Sequence, residues 1–104
     1  MISVERDLEH SSYDLRDMHD DMELGSFSRV LQQGSESEIN ILSIWSNFEA
    51  ELLIHVNGEE YGQLFIGKGV QNIPLNIQGE EGINIYARPL FAQDEPYKYL
   101  IHTF

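Results

Sequence analysis

Residues 50–66 read AELLIHVNGEEYGQLFI, and this stretch decides the fold. Ala50, Leu52, Ile54 and Val56 alternate with Glu51, Leu53 and His55, the two-residue period of a strand with one face in a core. Asn57-Gly58 follows, a pair that tolerates positive φ at both positions, as a two-residue hairpin turn requires. Tyr61-Gly62-Gln63-Leu64-Phe65-Ile66 then returns as the second strand. Its register is open: either Tyr61 and Phe65 or Leu64 and Ile66 face inward.

The same stretch runs into a second possible reading. From Gly62 to Lys68 the chain spells G-x-x-x-x-G-K, the start of a phosphate-binding loop, but Gly69 stands where Ser or Thr should hold Mg²⁺. A working phosphate loop leaves a strand and opens a helix, so that backbone amides point at the anion. Here the middle positions Gln63–Ile66 are themselves the strand, and Gly69-Val70-Gln71-Asn72-Ile73-Pro74 is a poor helix start. Gly67-Lys68-Gly69 is a turn between strands, with glycine supplying positive φ.

Outward from the hairpin the two-residue period continues. Phe27, Arg29 and Leu31 open it weakly; Ile39–Trp45 is β-branched and mostly apolar; Ile73/Leu75/Ile77, Ile83/Ile85/Ala87 and Tyr99/Ile101/Thr103 each alternate with other residues. Turn chemistry separates these runs at Gln33-Gly34-Ser35, Gly79-Glu80-Glu81-Gly82 and Gln93-Asp94-Glu95-Pro96. Six or seven short strands at about ten-residue spacing predict an antiparallel β-sandwich or jelly roll. No strand–helix–strand alternation appears, so a parallel nucleotide-binding sheet is not expected.

Residues 1–25 follow a different pattern. Leu8, Leu15, Met18 and Met22 recur at helical spacing and form one stripe, able to dock on the sheet or to form a seam with a second copy. Ser11-Ser12-Tyr13-Asp14 reads as a capping box and Gly25 as the residue that ends a helix, which predicts a short acidic helix from about Ser12 to Leu24. The expected organisation is an acidic helical segment over 1–25 and a β-sandwich over 26–104, together one compact unit. On the helix Asp14, Asp17 and Asp21 share a face away from the apolar stripe: a solvated face, or a contact for a basic partner.

Charge bounds the partners. The 104 residues carry 18 acids against 6 bases, a net −12, and residues 1–25 contribute half of that excess. Nucleic-acid binding runs on Lys and Arg displacing counterions, so neither phosphate backbones nor anionic membranes are expected partners. A basic protein would be attracted. There is no cysteine, hence no disulfide, thiolate nucleophile or cysteine metal site. Met1–Asp7 lacks the basic and apolar regions of a secretory signal, and no apolar run is long enough to span a bilayer, so a cytoplasmic or virion location is expected.

Candidate chemistry is sparse. His10, His19, His55 and His102 form no H-E-x-x-H or H-x-H spacing, and no G-x-S-x-G elbow is present. Glu59-Glu60 and Glu80-Glu81 are adjacent carboxylates in turns, where side chains point apart as solvated tips. No cofactor or metal is expected. Trp45, Tyr86 and Arg88 are of the types that stack on and hydrogen-bond a sugar, and form a candidate ligand set. The strands at 39–45, 52–56, 61–66 and 99–104 carry apolar residues on both faces, more than one small sandwich buries. The N-terminal helix or a second subunit must cover the surplus, and a homo-oligomer is expected.

Three functions follow as expectations. The first is a non-enzymatic, self-associating module with a structural or receptor/carbohydrate-binding role; a short helix ahead of a small β-sandwich is similar in organisation, not in motif, to virion appendage modules. The second is an acidic inhibitor that mimics nucleic acid on a basic protein through Asp14, Asp17 and Asp21. The third is a small hydrolase or isomerase with its site inside the sandwich.

Overall fold

The computed structural model describes residues 22–104 and consists of seven strands in two antiparallel sheets. The strands are β1 (Ser28–Gln33), β2 (Ser37–Ser46), β3 (Ala50–Val56), β4 (Glu59–Ile66), β5 (Gly69–Gly79), β6 (Ile83–Pro89) and β7 (Tyr99–Thr103). One sheet has the order β1-β6-β3-β4 and the other β5-β2-β7. Both sheets contribute to a single core: Ile39, Leu42, Ile44 and Ile77 from the three-stranded sheet, and Leu52, Ile54, Ile66, Ile83, Ile85 and Ala87 from the four-stranded one.

The hairpin at residues 50–66 forms as its sequence predicts. Asn57 and Gly58 have φ of 55° and 80°, the left-handed pair of a type I′ turn. The register resolves in favour of Leu64 and Ile66: Ala50 pairs with Ile66 and Leu52 with Leu64 on the core side, which turns Tyr61, Gln63 and Phe65 outward. Core apolar area decides this, because Leu64 and Ile66 meet Leu52 and Ala50, whereas Phe65 lies beside Glu51. The phosphate-loop reading falls with it, since Gln63–Ile66 lie in β4, Gly69 has φ of 95°, and β5 rather than a helix follows.

At one end of the sandwich three turns are stitched together. The Glu36 amide donates to the Glu80 carbonyl at 3.0 Å, the Asn57 amide to the Gly82 carbonyl at 3.0 Å, and the Glu81 amide to Asn57 Oδ1 at 2.8 Å. Gly82 is required there: its φ is 118°, and a Cβ would stand 2.7 Å from the Gln33 carbonyl oxygen. At the other end Asn47 pins the long β6–β7 connection, its Nδ2 donating to the Pro96 carbonyl at 3.0 Å and its Oδ1 accepting from the Lys98 amide at 2.8 Å. Phe48 and Tyr97 close that end with rings 5.3 Å apart and nearly perpendicular.

The expected helix from Ser12 to Leu24 falls mostly outside the described residues; its last residues, Met22–Leu24, are described and are not helical. Instead the Ser26 amide bonds back to the Glu23 carbonyl at 3.2 Å, with Gly25 at φ 78°, a turn that feeds β1. The physical reason is tertiary: the Gly25 amide bonds to the Pro89 carbonyl of β6 at 3.2 Å, and Met22 is buried in the core. Met22 thus packs into the same core as the strands. Among the described residues no helix is long and apolar enough to cross a membrane.

Candidate interaction surfaces

Each sheet has an outward face, and strand pairing fixes what lies on it. On the three-stranded sheet Val70, Trp45 and Leu100 form one row across β5, β2 and β7, and Asn72, Ser43 and His102 form the next. Pro74 and Ile41 extend the patch, with Phe104 bonded to Ile41 through its backbone amide at 2.9 Å. The His102 and Phe104 rings meet edge to face with centroids 4.5 Å apart. These nine positions hold no Asp, Glu, Lys or Arg, in a chain whose net charge is −12. Val70, Ile41 and Phe104 remain 40–49% exposed, while Leu100 is buried.

The outward face of the four-stranded sheet is built around a charge pair. Arg88 on β6 and Glu51 on β3 are register partners, and the Arg88 guanidinium donates from Nη2 to Glu51 Oε1. Glu51 is only 6% exposed although it points away from the core. Phe27 lies beneath the guanidinium, 4.9 Å from ring centroid to Cζ, a cation–π contact that holds the arginine fork over the sheet. On the far side Phe65 of β4 is the register partner of Glu51 and stands 68% exposed. The next rows hold Tyr86 beside Leu53 and Asn84 beside His55, with the His55 and Tyr86 rings 5.2 Å apart. Arg88 Nε and Asn84 Oδ1, both on this face, are buried without a hydrogen-bond partner among the described residues.

The concavities are slight by comparison. Among the described residues one, of about 370 Å³, is formed at the stitched end by Glu36, Ser37, Glu38, Gln78, Gly79 and Glu80, and another, of about 300 Å³, by Asn47, Lys68, Gln93, Asp94 and Glu95. Both are lined mostly by polar atoms of strand ends and turns, unlike the apolar pockets that enclose small ligands. Among the described residues no three His, Asp or Glu side chains converge as a metal site would require.

Of the residues singled out by sequence, Tyr86 and Arg88 share the outward face of the four-stranded sheet, whereas Trp45 lies on the outward face of the other sheet. The core separates them, so they do not meet in one ligand platform. Met22 is in the core. Asp14, Asp17, Asp21, Leu8, Leu15 and Met18 lie outside the described residues. Sequence reasoning missed Glu51, Phe27 and Phe65 as companions of Arg88. Only the alternation at 50–56 hinted at Glu51, by placing it outward, since which strands pair is not written locally. No family model, curated protein or solved structure matches the chain.

Proposed function

We propose that this protein is a non-enzymatic interaction module that associates with copies of itself, in a structural role within a larger assembly. The observation that carries the reading is the distribution of apolar surface. Ile41, Tyr61, Phe65, Val70 and Phe104 are each 40% exposed or more on strands or at a strand end, grouped on the two outward faces. Exposed apolar surface gathered in this way marks an interface, and aromatic residues and arginine are the types enriched there. At the rim of the uncharged face, Ile41, Val70 and Phe104 combine exposed apolar surface with the absence of carboxylates, which suits contact between copies of so acidic a molecule. The strand order supports a jelly-roll reading. Every connection among the described strands except the β3–β4 hairpin crosses between sheets, as the connections of a jelly roll mostly do.

The test is solution mass by light scattering on the full chain over a range of concentrations, with emission of Trp45, the single tryptophan, followed in parallel. Association should appear as a mass above 12.0 kDa that grows with concentration. It should strengthen with added salt, because screening weakens repulsion between chains of net −12. A mass fixed at the monomer value at every concentration and salt would overturn the proposal.

A further inference from the structure

Among the described residues the two sheets end in four edge strands, and three of these are blunted. On β5 Pro74 lacks an amide proton and Asn76 is left-handed at φ 53°. On β1 the register slips between Arg29 and Leu31, and β7 has five residues. Bulges, proline and short length are the devices that keep an edge from pairing with another chain. The β4 edge differs. Its one irregularity, at Tyr61, lies next to the turn, and beyond it Gly62–Ile66 run in unbroken register against Ile54–Ala50. No charged residue falls within 62–66, and Phe65 at 68% is the most exposed large apolar side chain described.

Building on the self-association proposed above, we infer that two copies of this chain pair antiparallel through β4, joining their four-stranded sheets into one across a two-fold axis at Leu64. This register puts Gly62 opposite the partner's Ile66 and Gln63 opposite the partner's Phe65. On the outward face each Phe65 is then diagonal to the partner's Phe65 and the partner's Tyr61, within reach of aromatic side chains. Glu60 near the start of β4 and Lys68 in the bend just past its end are then at the same end of the shared edge as the partner's Lys68 and Glu60, once on each side of the axis, within reach of long side chains. Glu60 is exposed, and among the described residues the only ion pair is Arg88–Glu51, so Glu60 and Lys68 are both available for that contact. An isologous interface repeats every such contact, which is why one favourable charge pair counts twice.

The experiment measures the dimer dissociation constant by sedimentation equilibrium for the full chain and four variants, with circular dichroism confirming that each is folded. Phe65→Lys should weaken association by about a hundredfold, since it removes the aromatic contacts and places charges across the axis. Lys68→Glu should weaken it by about tenfold through two like-charge contacts, and Lys68→Glu with Glu60→Lys should return it to within about threefold of the parent. Lys68→Glu with Glu38→Lys has the same net charge as that restored variant but leaves the repulsion at the axis, and should stay weak. Association untouched by Phe65→Lys, or restored equally by Glu38→Lys, would overturn the β4 interface while leaving self-association standing. A parent chain that is monomeric throughout would overturn both.

Discussion

Replacing Arg88 by Met is the sharpest test of how the outward face of the four-stranded sheet is held together. Glu51 is 94% buried by virtue of its 6% exposure, and its side-chain oxygen Oε1 is held by Arg88. Methionine keeps much of the arginine stem against Phe27 but leaves the carboxylate with no counter-charge. Removing one member of a fully buried pair costs about 3–5 kcal/mol. The Arg88 side chain is 38% exposed, so water reaches one side of the pair and the expected loss falls to about 2 kcal/mol. With a urea slope of about 1–1.5 kcal/mol per M for a domain of this size, the unfolding midpoint should fall by about 1.3–2 M. The double variant Arg88→Met, Glu51→Leu should recover most of the loss, because it removes the stranded charge and adds apolar contact beside Phe65. A single variant within about 0.5 kcal/mol of the parent, or a double variant worse than the single, would refute the claim that the buried carboxylate depends on Arg88.

Two further predictions concern the stitched end. Gly82→Ala should lose about 2–3 kcal/mol in urea unfolding, since alanine is strained at φ 118° and its Cβ would sit 2.7 Å from the Gln33 carbonyl oxygen. Asn57→Gly keeps the left-handed conformation but gives up the bond from the Glu81 amide, and should cost about 1 kcal/mol; Asn57→Ala should cost about 1 kcal/mol more, because alanine also resists φ 55°. Equal losses for the two Asn57 variants would show that the backbone conformation contributes little.

The β elements were legible because their signals are local. Alternation and turn residues occupy adjacent positions, so each strand from β1 to β7 and the Asn57-Gly58 hairpin could be read without knowing its neighbours. What could not be read is whatever depends on which strand lies beside which. Leu64 and Phe65 are both apolar, and only the identity of their partners, Leu52 and Glu51, makes one a core residue and the other a surface one. The same holds for the candidate site. Arg88 and Tyr86 were visible as residue types, but Glu51 is 37 positions away from Arg88 and becomes its partner only once β3 and β6 pair. At Met22 local and tertiary preferences conflict: helical spacing from Leu15 and Met18 competes with burial against the sandwich, and Met22 is buried there outside any helix.

The acidic charge and the apolar faces act together on assembly. A net charge of −12 opposes every encounter between copies, so contact survives only where carboxylates are locally absent or matched. The carboxylates of the described residues gather at the strand ends, with Glu36, Glu80 and Glu81 beside one another in the stitched turns and Glu49, Asp94 and Glu95 at the opposite end. The middles of both outward faces are left with one carboxylate, Glu51, and that one is neutralised by Arg88. For the proposed self-association, repulsion at the ends and apolar contact at the middle would favour side-by-side over end-to-end approach. If copies associate as proposed, surface charge would set the orientation in which they meet and the apolar residues how long they stay.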